Sequence, residues 1–183
     1  MIALDSKLQL ACECGHVGLE LAGRHIVSTE CCCESCRTAG RVLETLPSAP
    51  GLLEENGTTR FVLWRKDRVE CVSGAEVLRE FRLQSDSSSR RVVAVCCNTA
   101  MFLEFTKGHW LSLYGRRFPT DRLPPLDLRT MTTDLPVGVR LSDDVPNSRT
   151  QSFTFFRKLF AAWAAMGFRT PRIAFVNGGL DID

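Results

Sequence analysis

The cysteines are the feature of this sequence that most constrains its fold. The chain contains nine, at positions 12, 14, 31, 32, 33, 36, 71, 96 and 97. Eight of them fall in three short clusters, and only Cys71 stands alone. The odd total excludes complete pairing in disulfides within one chain. Randomly placed cysteines would not be expected to cluster in this way, so the clusters indicate a chemical role for the thiols.

The first two clusters have the spacing of metal ligands. Cys12 and Cys14 are separated by one residue and precede a glycine, which permits a sharp turn that presents both sulfurs to one side. Cys31, Cys33 and Cys36 form a C-x-C-x-x-C pattern, so one short loop offers three sulfurs. Zinc takes four tetrahedral ligands, and a site with three protein ligands keeps one position for water or substrate. The spacing therefore predicts metal binding.

Two other interpretations of the cysteines remain open. The vicinal pairs Cys31–Cys32 and Cys96–Cys97 are candidates for redox-sensing disulfides. Reduced cysteines buried in a core are the second alternative, since free cysteine behaves as a small apolar side chain. This alternative suits the isolated Cys71 and does not explain a loop with three spaced thiols.

The composition is that of one folded domain. The chain has 183 residues, of which 44% are hydrophobic and 24% charged. Its first residues lack the basic and apolar pattern of a signal peptide, and its longest nearly apolar stretch, 159–168, is too short to span a bilayer. We expect a cytoplasmic location without a membrane partner, where clustered thiols more often bind metal than pair. The formal net charge of +2 argues against a nucleic-acid partner.

Short segments of apolar and polar alternation predict a mainly β domain over residues 5–115. A short helix is expected over Ser35–Leu43, directly after the second cysteine cluster. The expected strands are Leu8–Cys12, Val17–Ala22, Thr59–Trp64, Val69–Val72, Val77–Leu83, Arg91–Cys96, Phe102–Phe105 and Trp110–Tyr114.

Residues 116–183 are expected to form an extended connection and a C-terminal helical appendage packed on the same domain. The connection contains one candidate strand near Leu128–Met131. The helix is predicted over 152–166, and we expect it to dock on the sheet or on a second copy of the chain as a homo-oligomer contact. Its apolar residues recur at three- and four-residue spacing, at Phe153, Phe156, Phe160, Trp163 and Met166.

The order of the cysteine clusters resembles that of the GFA family, the glutathione-dependent formaldehyde-activating enzyme-like proteins. The resemblance rests on C-x-C-G at 12–15, C-x-C-x-x-C-R at 31–37 and a distal Cys97-Asn98-Thr99 element, and it covers about residues 8–115. It implies a β-tent fold of short antiparallel strands with zinc knuckles. It also implies a structural zinc on Cys12, Cys14 and Cys97, and a second zinc of catalytic type on Cys31, Cys33 and Cys36.

The sequence departs from the family pattern at two positions. Cys32 replaces the histidine of the second cluster, and the first cysteine of the distal element falls on Ala94. The fourth ligand of the structural zinc is then expected to be Cys96, which requires unusual backbone geometry beside Cys97. His16 and a water molecule are alternative ligands, and a further alternative is that the structural site is lost or weakened and packing replaces it. We therefore expect one or two Zn²⁺ ions per chain.

The activity that the resemblance implies is that of a carbon–sulfur lyase acting on the adduct of a small thiol such as glutathione with a small electrophile such as formaldehyde. A thiol at an open zinc position is held as the nucleophilic thiolate. Arg37 and Arg41 are candidates to bind the carboxylates of a glutathione-type substrate, and their alternative role is that of solvated side chains. His109 is a candidate general acid or base, or else a structural histidine.

Two competing functions follow from the same residues. In a non-catalytic module the metal only stabilises the fold, and this predicts closed sites with four ligands. Nucleic-acid binding would require the pairs Arg90-Arg91 or Arg116-Arg117 to lie on one basic face. An open metal position beside a cavity would favour the enzyme.

Overall fold

The structure is a computed structural model that describes residues 7–182. Two α-helices, α1 (Glu34–Glu44) and α2 (Phe153–Ala165), accompany two β-sheets. The strands are β1 (Leu8–Ala11), β2 (Gly18–Leu21), β3 (Val27–Cys31), β4 (Thr59–Arg65), β5 (Val69–Ser73), β6 (Leu78–Phe81), β7 (Ser89–Ala94), β8 (Thr99–Phe105), β9 (Trp110–Tyr114) and β10 (Leu128–Thr130).

The larger sheet has seven strands in the order β10-β3-β4-β9-β8-β7-β6. Its pairs are antiparallel apart from β10, which runs parallel to β3. Directly opposed residues share one face of a sheet. One such row across β3, β4, β9 and β8 consists of Val27, Leu63, Ser112 and Leu103.

The smaller sheet, in the order β1-β2-β5, covers one face of the larger one. Leu19 and Leu21 of β2 are fully buried against residues such as Phe102 and Leu113 of the large sheet. The indole nitrogen of Trp64 donates a hydrogen bond to the carbonyl of Ala22, 2.9 Å away, and so ties the two sheets together. Apolar burial of this extent is the main source of stability.

The opposite face of the large sheet packs against both helices. Helix α1 buries Ala39 and Leu43, and α2 buries Phe155 and Leu159. His109 holds α2 in place, because its Nε2 lies 2.9 Å from the carbonyl oxygen of Leu159. Helix α2 therefore lies on the face of the sheet that also carries α1.

Two segments in the second half of the chain form bridges with strands of the large sheet. Residues near Gly179 form a bridge with Glu80 of β6, and the amide of Leu180 donates to the Glu80 carbonyl over 2.7 Å. Asn147 forms a similar bridge with Arg129 of β10. No helix within residues 7–182 combines the length and apolar character that crossing a membrane requires.

The expected mainly β class with a C-terminal helix is confirmed. The helix predicted over 152–166 and the strand predicted near Leu128–Met131 are both present. The sequence analysis missed β3, a central strand, because Ser28, Thr29 and Glu30 are polar although all three are buried. The strand expected at Arg91–Cys96 begins two residues earlier and ends at Ala94, which leaves the cysteines after it in a turn.

Candidate metal centres

The first candidate metal centre contains four cysteines. Two come from the turn that follows β1, and two come from the turn between β7 and β8. The Sγ atoms of Cys12 and Cys14 are 3.6 Å apart, and Cys96 lies 3.8 Å from Cys12 and 3.5 Å from Cys14. Cys97 lies 3.8 Å from Cys96. A zinc tetrahedron with Zn–S bonds of about 2.3 Å has edges of about 3.8 Å, so the four sulfurs fit the ion.

Two left-handed backbone positions create this arrangement. Gly15 has a φ of +78°, which closes the first turn, and the amide of Gly15 donates to the carbonyl of Cys12 over 2.9 Å. Asn98 has a φ of +53° and ends the second turn immediately after Cys97. The adjacent cysteines, Cys96 and Cys97, can therefore direct both sulfurs to one centre.

The charge state of the four-cysteine group depends on its neighbours. Burial opposes ionisation of Cys97, but hydrogen bonds from the Thr99 hydroxyl and from Cys14 lower its pKa to about 6. Burial and the neighbouring thiols raise the pKa of Cys96. The guanidinium of Arg117 is buried close enough to be influenced by the Cys97 thiolate, and its Nη1 lies 3.5 Å from a carboxylate oxygen of Glu13. Arg117 therefore offsets part of the negative charge of this group.

The second candidate metal centre contains Cys31, Cys33 and Cys36, whose sulfurs all lie within 4.8 Å of one another. Cys31 ends β3, Cys33 is the N-cap of α1, and Cys36 lies in the first turn of that helix. The Sγ atoms of Cys31 and Cys33 are 3.4 Å apart, and Cys33 Sγ accepts a hydrogen bond from the Cys36 amide over 3.4 Å. A strand end and a helix start thus bring three sulfurs together.

The surroundings of Cys33 favour the thiolate form of its side chain. Hydrogen bonds from Cys31 and Cys36 lower the pKa of Cys33 to about 3, and the nearby Arg91 guanidinium contributes in the same direction. The pKa of Cys31 is raised to about 11 because its thiol donates to Cys33. Arg91 is 2% exposed and donates to the carbonyl and the hydroxyl of Ser35 on α1. A buried cation therefore accompanies each of the two cysteine groups.

A cavity of about 520 Å³ opens beside the second group. The sulfurs of the three-cysteine group form part of its wall, whereas the four-cysteine group does not contribute to it. The other lining residues come from the large sheet, from the connections between β6 and β7 and between β8 and β9, from the segment between β10 and α2, and from α2. They are Thr29, Phe61, Leu63, Ser88, Leu103, Phe105, Lys107, Gly108, Trp110, Ser112, Thr130, Met131, Gln151 and Phe155.

The two arginines expected to bind substrate, Arg37 and Arg41, lie outside the lining of this cavity. Arg37 is buried, and its Nη1 donates to the carbonyl oxygens of Cys32 and Asp134. Arg41 is exposed on the last turn of α1. Within residues 7–182, neither belongs to the set that lines the cavity.

The structure also gives the surroundings of the other candidate residues, His16, His109 and Cys32. The Nε2 of His16 lies 2.8 Å from a carboxylate oxygen of Glu76, and His16 does not belong to either cysteine group of the described chain. Burial lowers the pKa of His109, which stacks on Trp163 with ring centroids 5.8 Å apart. Cys32 is fully buried, and burial together with the Glu30 carboxylate raises its pKa to about 12.

The sequence analysis missed the role of two arginines. It treated Arg91 and Arg117 only as members of basic pairs, whereas both are buried beside cysteine groups. The other arginine of each pair is matched with carboxylates, so the pairs do not form a basic surface. Arg90 forms ion pairs with Glu80 and Glu104, and Arg116 lies 3.6 Å from Glu54. No sequence signal distinguishes a buried arginine beside sulfur from a solvated one.

The fold and the two sites together define a mainly β protein with two cysteine groups that could each hold a metal ion. Neither the family models nor the curated proteins contain a match to this sequence. Among solved structures, a Rhodobacter sphaeroides protein determined as a structural genomics target aligns with 76% of this chain and 99% of its own. The sequence identity is 15% and the TM-score is 0.44.

Proposed function

We propose that this protein binds two zinc ions and uses one of them to handle a small thiol. The four-cysteine group would hold a structural zinc, and the three-cysteine group would hold a zinc with one open position. The observation that carries the proposal is the 520 Å³ cavity beside Cys31, Cys33 and Cys36. A structural site needs no such space, whereas a catalytic site keeps a position for substrate.

The donor atoms support zinc as the metal. Soft thiolate ligands select zinc, copper(I) or iron–sulfur clusters over the hard cations that prefer oxygen. The sulfur separations of 3.5–3.8 Å in the four-cysteine group match the edges of a single-ion tetrahedron. The resemblance of the cysteine order to the GFA family supports the same ion.

The resemblance also supports carbon–sulfur chemistry at the open site. Zinc supplies a lowered pKa for a bound thiol, which is then present as thiolate. In the synthetic direction the thiolate sulfur attacks the carbon of an aldehyde, a C–S bond forms, the carbon–oxygen π bond breaks, and the oxygen takes up a proton. The lyase direction reverses these changes.

The residues of this chain would hold the reactants for that step. Phe61 and Leu103 exclude water from the cavity wall, which strengthens electrostatic interactions inside it. Ser112 and Thr130 line the cavity, and their hydroxyls would donate hydrogen bonds to the aldehyde oxygen, which takes its proton from solvent in place of the one that the thiol releases on binding. Arg91 balances the net negative charge that three thiolates and one divalent ion would carry.

A non-catalytic zinc-binding module is the second candidate. One observation favours it: α2 exposes three phenylalanines, with exposed fractions of 82% for Phe153, 55% for Phe156 and 59% for Phe160. Exposed apolar patches of this kind often mark contacts between proteins. A module would use such a face for association and its metals only for folding.

Metal content and cobalt spectroscopy test the proposal. The wild-type chain should contain two zinc ions, and Cys33→Ala should contain one. Cys71→Ser is the matched control, because Cys71 lies on β5 outside both groups and should leave two ions bound. One zinc in the wild type, or two in Cys33→Ala, would contradict the two-site assignment.

The open position is tested on the cobalt-substituted protein. Addition of 2-mercaptoethanol should shift the visible absorption of the wild type and of Cys71→Ser, because a fourth sulfur enters the three-cysteine site. The shift should disappear in Cys33→Ala. If 2-mercaptoethanol leaves the wild-type spectrum unchanged, the second site is closed and the module is the better explanation.

A further inference from the structure

The cavity beside the three-cysteine group has walls that specify what kind of molecule it accepts. Its inner wall is formed by Phe61 and Leu63 of β4, Leu103 of β8 and Phe155 of α2. These four side chains are between 2% and 6% exposed. Three of them point to the helix-covered face of the sheet, as the alternation along a strand requires. The deep part of the cavity is therefore apolar.

Apart from the cysteine sulfurs that would hold the metal, the polar groups of the cavity are neutral with one exception. Thr29, Ser88, Ser112 and Thr130 contribute hydroxyls and Gln151 an amide, and the hydroxyl of Thr29 already donates to the Leu128 carbonyl over 3.1 Å. Lys107 is the charged residue in the lining of the described chain, and it lies exposed in the turn between β8 and β9. A single cation at the rim is a poor match for a ligand with several charges.

The buried arginines near the site, Arg37 and Arg91, do not add positive charge to the lining of the cavity. Arg37 donates to the carbonyls of Cys32 and Asp134, and Arg91 donates to Ser35. Arg37 Nε and Arg91 Nη1 are buried without a hydrogen-bond partner, and within residues 7–182 neither arginine lines the cavity. A tripeptide thiol such as glutathione carries two carboxylates and an ammonium group, and burying such charges without partners is unfavourable.

We infer that the thiol accepted by this site carries an apolar group, aromatic or branched aliphatic, that fills the wall formed by Phe61, Leu63, Leu103 and Phe155. The inference rests on the proposed function, because the sulfur is taken to occupy the open position at Cys31, Cys33 and Cys36. It replaces a glutathione-type substrate by a hydrophobic thiol or by the adduct of one. Aromatic side chains in the wall favour a ring in the ligand through edge-to-face contacts.

The size of the preference follows from the area that the ligand buries. An aromatic ring that buries about 100 Å² of apolar surface gains about 2.5 kcal/mol, which corresponds to about 70-fold in affinity. Part of the gain is lost in ordering the ligand, so we expect phenylmethanethiol to bind at least ~10-fold more tightly than 2-mercaptoethanol. Glutathione should bind no more tightly than 2-mercaptoethanol.

Two readouts on the full chain test the inference. Titration of the cobalt-substituted protein reports whether a thiol reaches the metal. The methyl resonances of Leu63 and Leu103 in the zinc-loaded protein report whether an organic group enters the cavity, independently of a metal–sulfur bond. Phenylmethanethiol should move both signals at low concentration, and glutathione should leave the leucine methyls unchanged.

A pair of variants locates the effect in the cavity. Phe105 lines the cavity and is 39% exposed, so Phe105→Glu should fold and should weaken phenylmethanethiol binding about 10-fold by placing a carboxylate beside the ring. Val72 on β5 is 50% exposed and outside the cavity, so Val72→Glu is the matched control and should bind as the wild type does. Equal binding by both variants would place the ring elsewhere.

The outcomes separate this inference from the proposed function. If no thiol moves the cobalt spectrum but phenylmethanethiol still shifts the Leu63 and Leu103 methyls, the open metal position is wrong and the apolar binding site stands. If glutathione shifts these methyls and binds at least as tightly as phenylmethanethiol, the inference is overturned while the proposed function survives.

Discussion

Glu104 should be one of the most costly side chains to neutralise in this protein. Its carboxylate joins two cations, with Lys66 Nζ 2.5 Å from Oε1 and Arg90 Nε 2.7 Å from Oε2. The side chains of Lys66 and Glu104 are 0% and 3% exposed. In Glu104→Gln, Arg90 keeps its ion pair with Glu80, but Lys66 loses its carboxylate partner and is left with neutral acceptors such as the Phe105 carbonyl, 3.3 Å away. The loss therefore falls on a buried ammonium group.

Removing one partner of a buried ion pair costs about 3–5 kcal/mol. For a chain of this length the midpoint of thermal unfolding should fall by about 6–20 °C, since each kcal/mol shifts it by about 2–4 °C. Urea unfolding at pH 7 measures the free energy directly. Glu70→Gln is the matched control, because Glu70 is an exposed carboxylate on β5 and its neutralisation should change stability by less than about 0.5 kcal/mol.

A double-mutant cycle gives the sharper result. Lys66→Met should destabilise the wild type, because it leaves Glu104 with one cation fewer. In the Glu104→Gln background the same substitution should be neutral or stabilising, because it removes a buried charge that has lost its partner. A loss below about 1 kcal/mol in Glu104→Gln, or an equal effect of Lys66→Met in both backgrounds, would refute the reasoning.

Two further substitutions test the docking of α2 and the turn beside the four-cysteine group. Burial opposes the charged form of Asp127, but hydrogen bonds from the Ser28 amide and from Lys158 of α2 lower its pKa. Its contribution is therefore present above the unfolded pKa of about 4 and is lost as the pH falls through the folded value, so Asp127→Asn should cost about 1 kcal/mol at pH 7 and less at pH 3. An equal cost at both pH values in urea unfolding would contradict this assignment. Gly74 has a φ of +71°, and an added Cβ would lie 2.7 Å from the carbonyl oxygen of His16, so Gly74→Ala should cost more than about 2 kcal/mol. Gly57→Ala, at a φ of +76° with nothing within 4 Å, should cost only the backbone strain of about 1 kcal/mol, and similar losses in the two variants would be evidence against the steric argument.

The parts of the fold that the sequence predicts are those in which local pattern and burial agree. Strand β9 occupies the expected position and is largely buried. Helix α2 also lies at the expected position, but it docks through Phe155 and Leu159, whereas Phe153, Phe156 and Phe160 of the predicted apolar stripe are exposed. Strand β3 does not show this agreement, because Glu30 near its end is charged. Thr58 and Asn56 donate hydrogen bonds to the Glu30 carboxylate, and the charge is balanced by Arg129 of β10, which lies 2.7 Å away and 99 positions apart in the sequence. A compensation over that distance leaves no local trace in the chain.

The candidate sites also have features that the local sequence predicts and features that it does not. The spacing of Cys31, Cys33 and Cys36 is local, so the sequence was sufficient to expect three sulfurs together. The buried cations Arg91 and Arg117 are brought to the cysteine groups only by the pairing of strands, and a sequence pattern does not reveal which of many arginines will be buried. The same is true of the cavity, whose walls come from six separate segments of the chain.

The difference between the two cysteine groups follows from how the chain approaches each of them. Two turns that are 82 residues apart contribute two sulfurs each to the four-cysteine group, so the ligands of a tetrahedral ion are complete. The three-cysteine group is built from one strand end and the helix turn that follows it, which are continuous in sequence. Within residues 7–182 no further cysteine, histidine, aspartate or glutamate joins these three sulfurs, and the cavity beside them is lined in part by phenylalanine, leucine, serine and threonine residues. On the proposed function the fourth ligand would therefore come from outside the described chain, and the apolar wall would select what that ligand carries.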